Sequence, residues 1–322
     1  MNKSAAKKFN FGQFYGKYGI FLIFVVIFAI ASVAVPGFLS QYNLKNVLLS
    51  IACTTVLAFG ATFVIILGHI NIAYGSEIAL IGCIACMVDV ATGSVWLAIA
   101  VALLIGLVLG ALTGFIITKF SIPAFIMTLA LTEAARGGAV LVTGGNTISG
   151  ISSGFAAMGQ GYVGPIPIAV LILLFCFAVM WVILNKTPYG RYIYAVGGNA
   201  KAAEASGINP KMVTFKAYLL DGLLVGVGSL LLMGRLNSGV PGAGLSYEMD
   251  AITAVVVGGT SMSGGSGTLF GTLVGAVIVG IINNVQTLLG VDSNIQRIVK
   301  GVIIVAAVII DVVTKNSAKK KR

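Results

Sequence analysis

Residues 94–118 read SVWLAIAVALLIGLVLGALTGFIIT, and this uncharged stretch decides the fold class. A helix needs roughly 20 apolar residues to cross the hydrocarbon core of a bilayer, so this run is long enough. Transmembrane β-strands alternate polar and apolar residues, whereas this run is apolar without a break. Because lipid offers no hydrogen bonds to an open backbone, a helix is the spanning structure that fits.

The rest of the chain repeats this pattern, which predicts one all-α, polytopic membrane domain over residues 1–322. Hydrophobic residues make up 58% and charged residues 9% of the chain, whereas soluble domains carry about 25% charged residues. We expect about ten transmembrane helices, at residues 19–35, 47–67, 76–90, 94–118, 122–142, 165–184, 213–233, 251–258, 268–290 and 295–313. The run 251–258 is too short to cross, which predicts a broken helix or a re-entrant turn.

The basic residues predict the orientation of the chain. The formal net charge is +11, with 20 Lys and Arg against 9 Asp and Glu. Such a chain can bind nucleic acid, but these charges lie between the apolar runs and at the ends, which argues against that partner. Most of them fall in residues 1–18, 185–212 and 314–322. By the positive-inside rule, we expect both tails and the loop 185–212 in the cytoplasm.

Small residues recur at four-residue spacing in three of the apolar runs. These repeats begin at Gly106, Gly222 and Gly271, each followed by another glycine four residues later. Small residues let helix backbones approach closely in lipid. We favour packing within one subunit, with a dimer face as the alternative.

The loop 185–212 contains a short helix signal. Asn199 is a good N-cap, residues 200–205 are strong helix formers, and Gly207 suits a C-cap. Pro210 is expected to prevent continuation. Loops this long often carry function, so we favour a docking helix for a cytoplasmic partner over an ordinary connection.

This loop resembles the coupling loop in the permease subunits of ABC importers for ribose, xylose and related monosaccharides. Three further segments agree: KFSIPAFIMTLA at 119–130, Ala135-Arg-Gly followed by Thr143-Gly-Gly, and YEMDAITAVVVGGTSMSGGSGTLFGT at 247–272. The resemblance extends from about residue 45 to residue 313. Its coupling loop corresponds here to Arg191, Gly198, Asn199, Ala203, Glu204, Ser206 and Gly207.

The resemblance implies a homodimeric pore in the bacterial inner membrane, with cytoplasmic ATPase subunits and an external solute-binding protein as partners. The chain itself has no Gly-x-x-x-x-Gly-Lys-Ser/Thr phosphate loop, and the glycine-rich run 258–267 contains no lysine. We therefore expect a transport subunit that is not an enzyme and that uses no cofactor or metal. ATP hydrolysis is expected in a separate chain.

One departure from the family pattern concerns the end of the second span. Where the family has Gly-Gly-Ile-Asp-Leu-Ser, residues 68–73 read GHINIA, so Asn71 replaces Asp. Asn cannot ionise, and the position is either structural or specific for another solute. His69 is the single histidine. With no carboxylate or cysteine cluster nearby in sequence, we expect it to make a helix-end hydrogen bond.

A sugar path needs spaced hydrogen-bonding side chains inside the membrane, where polar residues are expensive and usually functional. Glu133 and Arg136 are three residues apart, hence on one helix face. They are expected to pair with each other or to line the path. The candidates are Asn71, Thr128, Thr132, Glu133, Arg136, Asp221, Asp250, Ser261, Asn283 and Asn284.

The alternative function is an ion-coupled secondary transporter for a small polar solute. It requires a relay of intramembrane ionisable residues; the candidates, most of them near predicted helix ends, are Glu77, Asp89, Glu133, Arg136, Asp221 and Asp311. The energy source discriminates between the two functions. An intramembrane enzyme is disfavoured, because the sequence shows one isolated histidine and no paired carboxylates.

Overall fold

The computed structural model describes the backbone of residues 11–319 and the side chains of residues 19–309 and of Val313. Within these residues the chain forms thirteen helices and one two-stranded antiparallel hairpin, so the all-α prediction is confirmed. The elements are α1 Phe11–Ala34, α2 Gln41–Ile66, α3 Tyr74–Thr92, α4 Val95–Phe120, α5 Ala124–Thr143, α6 Ser153–Gln160, β1 Tyr162–Val163, β2 Ile166–Pro167, α7 Ile168–Lys186, α8 Pro188–Gly198, α9 Ala200–Ala205, α10 Pro210–Leu236, α11 Tyr247–Val257, α12 Leu269–Leu288 and α13 Ser293–Lys319.

Each of the ten expected spans coincides with a helix. Seven of these helices, α2–α5, α7, α10 and α12, are long and apolar enough to cross a membrane. The other three are α1, with a shorter apolar segment Gly19–Ala34, the eleven-residue α11, and the C-terminal α13. The expected broken helix is therefore α11, which begins four residues earlier than the predicted run and ends before Gly258.

The centre of the bundle is α2. Of the residues in its most apolar stretch, 89% are buried, and the helix packs against α7, α10, α11 and α12. In the most apolar stretch of α4 only 22% of the residues are buried, because α4 lies at the periphery and contacts chiefly α3 and α10. Two apolar helices thus have different surroundings, one at the centre of the bundle and one at its periphery.

The glycine repeats serve helix packing within this subunit. A Cβ on Gly106 would overlap the carbonyl oxygen of Gly222, and a Cβ on Gly110 would overlap the carbonyl oxygen of Tyr218. A Cβ on Gly271 would likewise overlap the carbonyl oxygen of Gly258. These contacts bring α4 against α10 and α12 against α11 at backbone distance. The repeats are consequently buried between helices of one chain.

The bundle has two ends, which we call the α9 end and the α6 end. At the α9 end, the amide of Gly265 donates to the carbonyl of Ile66 at 2.8 Å, and Tyr194 Oη donates to the carbonyl of Gly267 at 2.8 Å. At the α6 end, Gln160 Nε2 donates to the carbonyl of Arg235 at 2.9 Å. The loops that the charge pattern assigns to one side meet at the α9 end.

Two segments form elements that were not predicted from the sequence. Residues 188–198 form a second helix, α8, before the expected one, and the uncharged region after α5 forms α6 and the hairpin. Asn199 caps α9 as expected, accepting from the amide of Ala202 at 3.1 Å, and Gly207 has a positive φ of 83°. α9 ends at Ala205, before Pro210 as expected, and Pro210 is the first residue of α10, where its missing N–H costs nothing.

Candidate functional site

The segment 67–73 turns back into the bundle between α2 and α3. Gly68, at φ 78°, ends α2 in a left-handed conformation that suits glycine. Asn71 Oδ1 accepts from the amide of Ala73 at 2.9 Å, an Asx turn that starts α3. From α5, Thr132 Oγ1 donates to the carbonyl of Ile72 at 3.2 Å, and Thr128 Oγ1 lies 3.5 Å from the carbonyl of Ile70. The two threonines thus fix this turn.

A buried polar network joins this turn to α10. Asn71 Nδ2 donates to Asp221 Oδ2 at 2.9 Å, and Tyr74 Oη donates to Asp221 Oδ1 at 2.9 Å. Asn71 Nδ2 also lies 3.4 Å from Glu77 Oε2. Asn71, Tyr74, Glu77 and Asp221 are each at most 4% exposed. We call these four residues the Asp221 network.

The Asp221 network is built from neutral donors. The single ion pair among the side chains that the structure describes is Lys300–Asp250, so neither Asp221 nor Glu77 has a cationic partner there. A buried carboxyl group needs hydrogen bonds to offset its lost hydration, and Asn71 supplies one to each of the two acids. The same amide nitrogen therefore links the two acids.

Two polar atoms beside the network have no hydrogen-bond partner in the described part of the chain. They are Tyr218 Oη and His69 Nδ1, whose rings are 6.2 Å apart. This atom of His69 therefore does not make the helix-end hydrogen bond expected from the sequence. The ring instead packs beside Tyr218.

A second break in the bundle lies where α11 begins. Its preceding segment passes so close to α3 that a Cβ on Gly75 would overlap the carbonyl oxygen of Gly244. Arg136 Nη1 donates to the carbonyls of Pro241 at 2.7 Å and Ala243 at 2.9 Å. The expected Glu133–Arg136 ion pair is wrong, because the guanidinium satisfies these loop carbonyls instead and the described residues contain no such pair.

Glu133 occupies the exposed face of α5. It is the tenth of the twenty residues Ala124–Thr143 and lies at the middle of a candidate membrane span. Leu129 and Gly137, one turn before and after it, are exposed on the same face. A carboxyl group in contact with hydrocarbon is costly, so this face requires water or another protein surface.

The remaining path candidates lie in contacts between helices. Lys300 Nζ forms an ion pair with Asp250 at 2.8 Å, and Asn283 Nδ2 donates to Asp250 Oδ1 at 3.2 Å. Asn284 and Asn43 exchange two side-chain hydrogen bonds of 2.7 and 3.0 Å. Ser261 is buried in the loop between α11 and α12. These side chains join α2, α11, α12 and α13.

The α8–α9 segment is seated on backbone at the α9 end. A Cβ on Gly197 would overlap the carbonyl oxygen of Ile66, and one on Gly265 would crowd Gly198. Of the coupling-loop candidates, Ala203 is buried, whereas Arg191, Gly198, Asn199, Glu204, Ser206 and Gly207 are exposed. The segment therefore offers a polar surface while its underside is fixed to α2 and to the loop after α11.

The sequence reasoning missed Tyr74 and Lys300. Tyr74 lies three residues after Asn71 and three before Glu77, a helical spacing that could have grouped them. Lys300 carried no such signal, since its partner Asp250 is fifty residues away. Within the described residues there is no group of three or more His, Cys, Asp or Glu side chains that could hold a metal ion.

A bundle of long apolar helices, interrupted at residues 67–73 and before α11 and carrying the exposed α8–α9 segment at one end, defines a polytopic membrane protein. Residues 43–308 match the family model described as the permease component of the branched-chain amino acid transport system. No solved structure matches the chain.

Full-length relatives narrow the class. The chain is 41% identical to the ribose import permease protein RbsC of Haemophilus influenzae over 97% of this chain and 98% of that protein. It is 42% identical to RbsC of Bacillus subtilis, covering 95% of each. The L-arabinose transport system permease protein AraH of Escherichia coli is 32% identical, over 94% of this chain and 92% of that protein. The chain belongs to this family of transport permeases, which confirms the resemblance drawn from the sequence.

Proposed function

We propose that this chain is the membrane-spanning permease subunit of an ATP-driven ABC importer for a monosaccharide, with a ribose-like pentose as the favoured solute. A separate cytoplasmic subunit hydrolyses ATP, and an external binding protein delivers the solute. The printed names of the relatives support the solute class. The observation that carries the proposal is the segment formed by α8 and α9, residues 188–205, which we call the α8–α9 platform. Its outer surface is exposed, and its inner surface is fixed to the end of α2 and to the loop after α11.

The platform suits a docking partner because its support is backbone. Gly197 meets the end of α2, and Gly264 and Gly265 of the loop after α11 meet Gly197 and Gly198. A displacement of α8 would therefore move the end of α2 and the loop after α11, and both of these segments continue into the interior of the bundle. Such contacts fit a subunit that converts nucleotide-driven movement into opening and closing of a path.

The exposed face of α5 supports a homodimer with the path between the copies. Glu133 needs a polar neighbour at membrane depth, and small exposed residues such as Gly137 let another helix or a solute approach. The Asp221 network, in contrast, is closed within one subunit. We infer that Glu133 faces the path, whereas Asn71 and Asp221 do not contact the solute.

The position of Asn71 bears on the choice of solute. Its amide is engaged by Asp221, Glu77 and the Ala73 backbone. The replacement of the family's Asp by Asn71 thus alters a contact inside the subunit and not a contact with the solute. Ribose therefore remains a candidate solute. The charge pattern supports both termini and the α9 end in the cytoplasm of a bacterial cell.

The alternative, an ion-coupled carrier, draws on the closeness of Glu77 and Asp221 through Asn71. Uptake into vesicles distinguishes the two. With the ATPase and the binding protein present, uptake should require ATP and should survive collapse of the proton gradient. Gradient-driven uptake by this chain alone would favour the carrier.

The docking role is tested by Glu204→Gln, which removes an exposed charge from α9. Because charges at an interface set partner affinity, we expect recovery of the co-purified ATPase to fall about tenfold while membrane insertion is unchanged. The matched control is Asp292→Asn, the same charge change in the turn before α13. Full ATPase recovery and full ATP-driven uptake with Glu204→Gln would contradict the proposal.

A further inference from the structure

A cavity of about 550 Å³ opens at the α9 end of the bundle, outside the Asp221 network. Its walls come from the turn 67–70, the α4–α5 connection and the start of α10, with Val196 and Ala200 at its edge. The polar lining consists of His69, Thr118, Ser121, Lys211 and Thr214. None of the roles described above uses this cavity.

The charge of the lining has one sign. Lys211 contributes a full positive charge, and no Asp or Glu is among the lining residues. Burial lowers the pKa of His69 below its ordinary value, so at neutral pH the ring is uncharged and offers one N–H. Lys119, in the last turn of α4 next to Thr118, adds a second exposed cation nearby. The cavity thus suits an anion.

The amides of α5 add donors at the same place. α5 begins after Pro123, which provides no side-chain cap, so the amides of Ala124 and Phe125 lack the usual side-chain acceptor, whereas the amide of Ile126 donates to the carbonyl of Pro123. Pro123, Ala124 and Phe125 all line the cavity. Backbone amides and hydroxyls beside a lysine form the donor set that phosphate oxygens accept.

The rim of the cavity is apolar and exposed. Phe125 is 54% exposed, and its neighbours Phe120 and Ile126 are 64% and 56% exposed. These side chains flank the connection between two candidate membrane spans, α4 and α5. A ligand here needs an anionic group for the interior and acyl chains for the rim. Basic pockets between helix ends bind anionic head groups in this way.

We propose that this cavity binds the phosphate of an anionic phospholipid head group, with Lys211 as its cation and Ser121 and Thr214 as hydroxyl partners. The acyl chains lie along Phe125 and Phe120. The bound lipid joins α10, which starts directly after the α8–α9 platform, to the α4–α5 connection. The site does not depend on the identity of the transported solute.

The test measures binding of phosphatidylglycerol and phosphatidylcholine by native mass spectrometry of the full-length purified chain. We compare the wild type with Lys211→Gln, with Lys211→Arg, and with the matched control Lys216→Gln, an exposed lysine of α10 outside the lining. Loss of one lysine contact should weaken phosphatidylglycerol binding about fivefold. Lys211→Arg and Lys216→Gln should retain wild-type affinity, and phosphatidylcholine should not compete.

Other outcomes would overturn the proposal. If Lys211→Gln and Lys216→Gln weakened phosphatidylglycerol binding equally, the lipid would be attracted by the general surface charge and not bound in this cavity. Displacement of the lipid by millimolar inorganic phosphate would mean a free-anion site. Unchanged lipid binding in Lys211→Gln, together with loss of the co-purified ATPase, would assign the cavity to an acidic segment of that partner. Thermal unfolding of each variant without added lipid separates a folding defect from lost binding.

Discussion

Asp221 and Glu133 are both acids in the middle of candidate membrane spans, and the structure places them in opposite surroundings. Asp221 is 1% exposed and accepts from Asn71 and Tyr74. Glu133 is exposed on α5 and has no hydrogen bond or ion pair among the side chains that the structure describes. One acid is satisfied within the chain, whereas the other requires something outside it.

The contrast distinguishes an acid that stabilises the fold from an acid that is a candidate for transport. A buried acid with two good donors stabilises the arrangement of α2, α3 and α10, and its hydrogen-bonding capacity is used. An unsatisfied acid at membrane depth is a functional candidate by its cost alone. The residue type and the position within a membrane span do not distinguish the two acids. Their hydrogen-bond partners do.

The strongest test of this contrast is Asp221→Ala. It leaves Tyr74 Oη and one N–H of Asn71 without their acceptor, and each such loss costs about 1–3 kcal/mol. We expect a marked fall in folded yield and thermal stability in size-exclusion chromatography of solubilised protein. Asp221→Asn, which keeps one acceptor, should lose less. Wild-type stability with abolished uptake would instead place Asp221 on the path.

The sequence was sufficient for the helices but not for their partners. Long apolar runs predict spans because bilayer thickness sets their length, and the Asn199 cap was predictable because capping is local. The Asn71–Asp221 contact joins residues 150 positions apart, which no local pattern encodes. The Glu133–Arg136 pair failed because shared helix face does not exclude a better partner, here the carbonyls of Pro241 and Ala243.

A pair of glycine variants tests the packing side of the comparison. A Cβ on Gly60 of α2 would overlap Asp221 Oδ1, whereas Gly137, one turn after Glu133, has open space around it. Gly60→Ala should therefore destabilise the solubilised protein by about 1–3 kcal/mol through overpacking. Gly137→Ala should leave its stability unchanged. Equal unfolding temperatures for the two variants would remove the distinction between the closed and the open face.

The functional side is tested by Glu133→Gln in ATP-driven uptake with the partner subunits. If Glu133 faces the path, loss of its charge should reduce uptake about tenfold, since hydrogen bonds to charged groups contribute about 1.5–3 kcal/mol. Thermal stability should be unchanged. Leu129→Ala, one turn earlier on the same exposed face, is the matched control and should retain uptake. Normal uptake by Glu133→Gln would show that the charge has no part in transport.

The smallest effect is expected at a third acid, Asp250, which lies between these extremes. It is 6% exposed and paired with Lys300, whose side chain is 17% exposed. Because Asn283 still donates to Asp250 when Lys300 is removed, we expect a loss of about 1 kcal/mol, at the lower end of the cost of an unmet buried polar group. Lys300→Gln should thus lower the unfolding temperature slightly. The double variant with Asp250→Asn should lose no more than the single one, because the interaction is already gone. A loss as large as that of Asp221→Ala would mean that Asp250 relies on its cation for burial, and the ranking of the three acids by their partners would be wrong.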